Sequence, residues 1–391
     1  MRRGLLFHTV GALFGAVALL GAADARISAS PLADFTGGNA DLMSAGPLAF
    51  GPDGILFVGD SIGGQVVAID TQDRNVHAAG KVDVPGIDAK IAAMVGVAPD
   101  QIVINDVKVD PLSKNVYLSA ARGRGPHAMP LIVRVDAAND HISVLSLDNV
   151  PHSSVRLTDA PAAASNPPSG AAGPRRNSRM LTVTGMAYVN GDLMVAGLSN
   201  EEWSSALRSI PFPFQRTVAK GATIQIWHAS HGQYETQAPI RTFVPYDIDG
   251  RQYVLAAYTC TPLVKIPLNE LRPGAKVRGT TIADLGSDNQ PLDMVPYRKD
   301  GHDYILINNT ALGVMKLQAD DLAMYKPIDA PTVTDVAGVP YQTISGLDDV
   351  QHLARLDSTE VLILIAKPGT GPPYAPGPPQ GSLDLQTIRL P

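Results

Sequence analysis

The stretch Pro47-Leu-Ala-Phe-Gly-Pro-Asp-Gly-Ile-Leu-Phe-Val-Gly-Asp60, followed by Gln65-Val-Val-Ala-Ile-Asp70, contains the pattern that decides the fold. A Pro-Asp-Gly turn separates two runs of β-forming residues, and a polar loop leads to a third run. A turn of this kind between two such runs is a hairpin signal. The stretch therefore predicts three consecutive antiparallel strands.

The same order of short strands and turns returns five more times along the 391-residue chain. Each unit has an apolar middle strand, which indicates a sheet covered on both faces. Repeats of about forty to fifty residues favour an all-β fold, a six-bladed β-propeller with long lid loops on one face, over a β-sandwich or two β-domains. The predicted blades, in one domain of residues 26–391, span approximately residues 47–80, 105–147, 182–229, 240–285, 290–328 and 343–390.

Four segments depart from the repeat. Residues 87–97 have the composition of a short helix between the first two blades, and we expect residues 159–179 to form a loop. Residues 27–36, which precede the first blade, could close the ring as an outer strand of the last blade. Residues 201–220 and 368–379 are insertions that we expect to overhang one face as lids, because long insertions in compact repeats are often functional.

The first 25 residues have the features of a secretory signal peptide. Arg2 and Arg3 precede an apolar stretch, and Ala23-Asp-Ala25 is an Ala-x-Ala cleavage signal. The formal net charge of −6 gives no general attraction to phosphate backbones. We therefore expect an exported protein, periplasmic or secreted, with no nucleic-acid partner and no membrane span after cleavage.

Propeller geometry places the starts of the innermost strands and the ends of the second strands at one end of the central channel. Polar residues at these points predict a binding site for a small-molecule ligand or a protein partner. Their oxygen atoms suit Ca²⁺ or Mg²⁺ better than a transition metal. The candidates on this face are Asp60, Asn105, Asp106, Asn200, Glu201, Cys260, Asp293, Asn308, Asp348 and Asp349.

The run Asn105-Asp-Val-Lys-Val-Asp-Pro111, followed by a strand that contains Tyr117, resembles a motif of the gluconolactonase/senescence-marker/luciferin-regenerating family, and the turns resemble NHL repeats. The resemblance implies a six-bladed propeller that hydrolyses lactones or esters with a divalent metal, Ca²⁺ above all, in its channel. It implies that Asn105 binds the metal and that Asp293 is both a ligand and the catalytic base. Two further ligand positions of the family are not matched, and Asp348 or Glu201 is a candidate replacement from a different blade.

The remaining residues with potential chemistry receive structural interpretations. Cys260 is the one cysteine, and no histidine stands near it in sequence, so we expect a small buried side chain. His228 and His231 form the closest histidine pair, which without further ligands indicates a surface turn.

The sequence favours two functions over a third, a redox enzyme, for which no cofactor motif is visible. The first is a metal-dependent hydrolase of lactones or esters that acts through Asp293. The second is a non-catalytic propeller that binds a ligand or a protein through the same face, and fold alone does not choose between them.

Overall fold

Short turns between apolar runs fold the chain into six sheets, which are antiparallel apart from one short parallel pairing. The computed structural model describes residues 30–76, 80–163, 178–214, 220–259, 262–286, 289–332, 334, 336–367 and 382–391. Six blades built almost wholly of strands confirm the all-β propeller. The predicted signal peptide, Cys260 and the predicted lid 368–379 lie outside the described residues.

The strands of the first half of the chain are β1 (Leu48–Phe50), β2 (Ile55–Asp60), β3 (Gln65–Asp70), β4 (Asp83–Val84), β5 (Ile102–Val109), β6 (Val116–Arg122), β7 (Met129–Val135), β8 (Ile142–Val144), β9 (His152–Arg156), β10 (Gly185–Val189), β11 (Asp192–Leu198), β12 (Ser205–Pro211), β13 (Ala222–His228) and β14 (Gln233–Glu235). Those of the second half are β15 (Ile240–Ile248), β16 (Arg251–Tyr258), β17 (Pro262–Pro267), β18 (Lys276–Arg278), β19 (Thr280–Leu285), β20 (Pro291–Lys299), β21 (His302–Asn309), β22 (Gly313–Gln318), β23 (Val336–Gly338), β24 (Tyr341–Thr343), β25 (Val350–Arg355), β26 (Glu360–Ala366) and β27 (Leu383–Arg389).

The described ranges contain one α-helix, α1 (Ile87–Val95), which confirms the helix predicted at 87–97. It is followed by Gly96, whose φ of 70° is the left-handed conformation that glycine adopts at helix ends. Short 3₁₀ turns lie at Pro52–Gly54, Pro99–Gln101, Gly125–His127, Ser178–Leu181 and Leu268–Glu270. No helix within these ranges has the length and apolar character needed to cross a membrane.

Each blade is one sheet, numbered here by the position of its inner strand along the chain. From the inner strand outward, blade 1 is β1-β2-β3-β9, blade 2 is β5-β6-β7-β8, and blade 3 is β10-β11-β12-β13-β14, with β18 added in parallel to β13. Blade 4 is β15-β16-β17-β19-β23, blade 5 is β20-β21-β22-β24, and blade 6 is β25-β26-β27-β4. The second strands are largely buried, as the apolar middle runs of the sequence predict.

The blades do not follow one another around the ring in chain order. The inner strands lie side by side in the order β5, β1, β10, β15, β20 and β25, and β25 in turn lies beside β5. Six apolar clusters fill the six spaces between the blades, and each cluster joins two blades that are neighbours in this order. Blade 2 therefore lies between blade 1 and blade 6, and the clusters bury the faces that a single blade leaves open.

Two outer strands make the crossovers that this order requires. After β3 the chain adds β4 to the edge of blade 6, and after blade 2 it returns to add β9 to the edge of blade 1. The expected closure by residues 27–36 is wrong for the residues described, because β4 covers the edge of blade 6 and Thr36 pairs with His152 at blade 1.

The insertion at 201–220 also differs from expectation. Residues Ser205–Pro211 are not part of a lid but form β12, the third strand of blade 3, because their backbone pairs antiparallel with the whole of β11 and their side chains are largely buried. The strand that the sequence indicated as third, Ala222–His228, is the fourth.

A buried ion pair fastens the connection between β9 and blade 3. Arg208 on β12 is 1% exposed and donates from Nε to Asp159 Oδ1 at 2.7 Å. Its other nitrogen atoms donate to the carbonyl groups of Thr182 and Leu198 at 3.2 and 2.8 Å. Since a buried guanidinium without its carboxylate is very costly, Asp159 holds the crossover segment on blade 3.

We expect Asp159→Asn to lower the free energy of unfolding by about 3–5 kcal/mol, because it leaves Arg208 buried without a counterion. The matched control is Glu202→Gln, which breaks the exposed Glu202–Lys276 pair at 3.0 Å and should cost at most about 1 kcal/mol. Urea unfolding measures both; equal losses would contradict the role given to Asp159.

Candidate functional site

Four inner strands share one irregularity near their first residues. In β5, β15, β20 and β25 the pairing with the second strand skips one residue, at positions 105, 241, 292 and 351. A bulge of this kind bends a strand and changes the direction of the next side chain. The residues that follow the skipped positions are Asp106, Thr242, Asp293 and His352.

Three of these residues meet beside the channel, with Lys108 between them. Lys108 Nζ lies 2.6 Å from Asp106 Oδ1 and 3.3 Å from Asp293 Oδ1, and donates to the carbonyl oxygen of Val107 at 3.2 Å. We call Asp106, Lys108, Asp293 and His352 the inner-strand cluster. It joins blades 2, 5 and 6, which are consecutive in the ring.

His352 is oriented by Asp293. Its Nδ1 lies 2.9 Å from Asp293 Oδ2 and 3.9 Å from Asp106 Oδ1. A carboxylate can only accept, so in a neutral imidazole this contact places the proton on Nδ1 and leaves the lone pair on Nε2. Among the described residues no hydrogen-bond partner contacts Nε2.

Backbone groups hold both carboxylates in place. Asp106 Oδ2 accepts from the backbone N–H of Leu48 on blade 1 at 2.7 Å, and Asp293 Oδ2 accepts from that of Leu353 at 3.2 Å. Asn308, which is fully buried, accepts the backbone N–H of Asp293 on its Oδ1 at 2.8 Å. These contacts fix the two acids on rigid strands rather than on loops.

The charges of the cluster stabilise one another. Burial alone would raise the pKa of Asp293, but Lys108 and His352 outweigh burial and bring that pKa to about 2. Burial would likewise lower the pKa of Lys108, and Asp106 and Asp293 raise it above its ordinary value instead. At neutral pH Asp293 is therefore a carboxylate and Lys108 an ammonium ion.

The cluster can be reached from solvent on one side. The side chains of Lys108 and His352 keep 29% and 15% of their surface exposed, against 9% and 10% for the two acids. A ligand in the channel would thus meet the lysine and the imidazole before the carboxylates.

The structure brings together Asp106, Asp293 and Asn308 among the predicted site residues, and separates others from them. Asn105 is the skipped residue of β5; it is exposed and donates from Nδ2 to the carbonyl oxygen of Ala45 at 2.8 Å. Asp348 and Asp349 are exposed residues before β25. Asp348 belongs to neither of the two groups of potential metal ligands found among the described residues.

Three other predicted residues have partners of their own. Asp60 is fully buried and accepts from the backbone of Met43, Ser44 and Gly63 at 2.8–2.9 Å, which closes the turn after β2. Asn200 donates its backbone N–H to the carbonyl oxygen of Asp159. Glu201 pairs with the exposed Lys220 at 2.6 Å.

Lys108 and His352 are site residues that the sequence pattern did not predict. Lys108 follows Asp106 by two positions, so strand periodicity alone places both side chains on one face. For His352, the sequence pattern predicts a strand start at Asp348 and Asp349, whereas β25 begins at Val350 and contains a bulge before His352.

No family model and no curated protein matches the sequence. Among solved structures, the PQQ-bound aldose sugar dehydrogenase of Streptomyces coelicolor is 12% identical over 90% of this chain and 97% of that chain, with a TM-score of 0.31. A glucose dehydrogenase-type oxidoreductase of Thermus thermophilus is 13% identical over 90% and 100%, with a TM-score of 0.29. An α-L-arabinofuranosidase of Clostridium thermocellum is 9% identical over 72% and 88%, with a TM-score of 0.33. At these values the similarity carries no conclusion about substrate or cofactor.

The lowered pKa of Asp293 predicts a pH-dependent contribution to stability. Because the unfolded carboxyl binds its proton near pH 4, the contribution is fully present above that pH and is lost as the pH falls to about 2. Asp293→Asn should therefore lower the free energy of unfolding by about 2 kcal/mol near pH 6 and by much less near pH 2. Urea unfolding of the unaltered protein and of Asp293→Asn at several pH values in this range tests the prediction. The control is Asp348→Asn, which makes the same charge change at an exposed residue. A loss of unfolding free energy in Asp293→Asn that does not change with pH would contradict the prediction.

Proposed function

We propose that the protein hydrolyses esters or lactones beside its channel, with His352 as the general base and Asp293 as the residue that orients it. The observation that carries this proposal is the 2.9 Å contact between Asp293 Oδ2 and His352 Nδ1, which leaves Nε2 without a partner among the described residues. A buried carboxylate that fixes the tautomer of a partly exposed imidazole is a recurrent arrangement in hydrolysis. The substrate class, esters or lactones, is proposed because residues 105–111 resemble a motif of the gluconolactonase/senescence-marker/luciferin-regenerating family.

The reaction needs one water molecule and no redox partner. His352 Nε2 takes a proton from the water as the water oxygen bonds to the carbonyl carbon of the ester. The tetrahedral intermediate then loses its alkoxy oxygen, and this oxygen takes the proton from His352. The products are a carboxylic acid and an alcohol, joined in one chain if the substrate is a lactone, and the imidazole returns to its neutral form.

Lys108 acts through the acids rather than on the substrate. An ammonium group has three N–H donors, and Asp106, Asp293 and the carbonyl group of Val107 account for all three. Lys108 therefore keeps both carboxylates ionised and in place, so that Asp293 can hold His352. It is a positioning residue.

A divalent metal does not fit between Asp106 and Asp293 in this arrangement. The Lys108 ammonium already lies 2.6 and 3.3 Å from the two acids, where a cation would have to bind. No step of the proposed reaction therefore passes through a metal. The calcium site of Asn105, Asp293 and Asp348 stays a prediction from the resemblance.

A non-catalytic binding propeller is the second candidate. The observation that favours it is that the donors of Lys108 and most acceptors of the acids are used within the chain, so the cluster also connects the blades.

In either case the apolar segment at residues 5–20 and the Ala-x-Ala signal support a proposal of export to the periplasm or beyond.

The variant His352→Asn separates the two candidates. Asn can still donate to Asp293 but lacks the basic Nε2 atom, so we expect kcat for a γ-lactone, δ-lactone or aryl ester that the protein cleaves to fall by about 10²–10⁴-fold. The assay is acid release at constant pH with a panel of such substrates.

The matched control is His302→Asn, which alters an exposed histidine that contacts Asp320 at 2.9 Å on blade 5 and should leave kcat unchanged. No turnover of any substrate, or equal rates in both variants, would favour the binding propeller. The rate should survive treatment with a chelator; its loss, with recovery on addition of Ca²⁺, would instead support the predicted calcium site.

A further inference from the structure

A second cluster lies at the outer edge of blade 3, away from the inner strands. It consists of His228 at the end of β13, His231 in the following turn and Glu235 in β14, and we call it the outer-edge cluster. The sequence indicated a surface turn, but His228 is only 1% exposed. A surface turn does not explain why the imidazole of His228 is buried.

Glu235 binds both imidazoles at once. His228 Nδ1 lies 2.8 Å from Glu235 Oε2, and His231 Nδ1 lies 2.6 Å from Glu235 Oε1. The two rings are in contact but tilted, with their centroids 3.8 Å apart and their planes 36° from parallel. One potential ligand atom from each of the three residues lies within 4.8 Å of the others.

Three buried polar atoms at this cluster have no hydrogen-bond partner among the described residues: His228 Nε2, Ser230 Oγ and Asp284 Oδ1. Asp284 belongs to β19 of blade 4 and is fully buried. The backbone N–H of Ser230, between the two histidines, donates to the other oxygen of Asp284 at 3.1 Å. Orphaned atoms of this kind cost free energy unless something pairs them.

We propose that His228, His231 and Glu235, with Asp284 beside them, form a binding site for a divalent transition metal of the Zn²⁺ type. Two imidazoles with carboxylates are ligands that Zn²⁺ and its neighbours prefer, whereas Ca²⁺ requires oxygen ligands throughout. His231 keeps 32% of its side chain exposed, so an ion can reach the cluster from solvent.

Bound there, the ion would link the outer edges of blades 3 and 4. His228, His231 and Glu235 all belong to the β13–β14 hairpin, and Asp284 belongs to the neighbouring sheet. The site does not include any residue of the inner-strand cluster, so it stands independently of the proposed hydrolysis.

The test is metal binding by the full chain after removal of metal with a chelator. Titration with Co²⁺, followed by its visible absorption, should give one tightly bound ion per chain with a coordination spectrum that Zn²⁺ abolishes. His231→Ala and Glu235→Gln change residues at or near the surface, and unchanged melting without metal shows that they fold. Each should weaken binding by more than the ~10–100-fold that loss of an outer-shell partner costs.

His302→Ala is the control, because His302 also contacts a carboxylate, that of Asp320 at 2.9 Å, but has no second imidazole. It should bind Co²⁺ as tightly as the unaltered protein. Absence of a Co²⁺ spectrum in the unaltered protein, or equal affinity in His231→Ala and His302→Ala, would overturn the site. Because binding and not turnover is measured, this result does not depend on whether the protein is a hydrolase.

Discussion

The Lys108 ammonium holds the centre of this ring together. Two carboxylates from blades 2 and 5 come within 2.6 and 3.3 Å of it, and an imidazole from blade 6 completes the group. Without the cation, two buried acids at this separation would repel each other or take up a proton. One charge therefore allows side chains of three blades to meet, and through Leu48 the contact extends to a fourth.

This meeting depends on the order of the blades. If the blades followed the chain, blade 2 would stand between blades 1 and 3, and Asp106 would lie across the ring from Asp293. The crossovers through β4 and β9 place blade 2 next to blade 6 instead, and the Asp159–Arg208 pair fastens the chain where it proceeds to blade 3. The inner-strand cluster is thus a consequence of the topology as much as of the residues.

The repeat of apolar middle strands and turns was enough to predict the six blades, because each strand follows local hydrophobic patterning. It could not give their order, because each blade buries the same kind of apolar face and any neighbour can cover it. The site was predicted in part: Asp293 and Asp106 were identified at strand starts, but the family resemblance gave the ligand role beside Asp293 to Asn105. The bulges show that Asp106 is the equivalent residue, and a one-residue shift of this kind exchanges the faces of a strand. Lys108 was identifiable by its spacing, whereas His352 required the register of β25.

The central claim is that Asp293 fixes the proton of His352 on Nδ1 and leaves Nε2 as a free base. The most direct measurement is a long-range ¹H–¹⁵N correlation spectrum of histidine-labelled protein near neutral pH, with His352 assigned by its loss in His352→Asn. A protonated Nδ1 and an unprotonated Nε2, replaced by another state in Asp293→Asn, is the expected result. A proton on Nε2 of His352 in the unaltered protein, unaffected by Asp293→Asn, would contradict the claim.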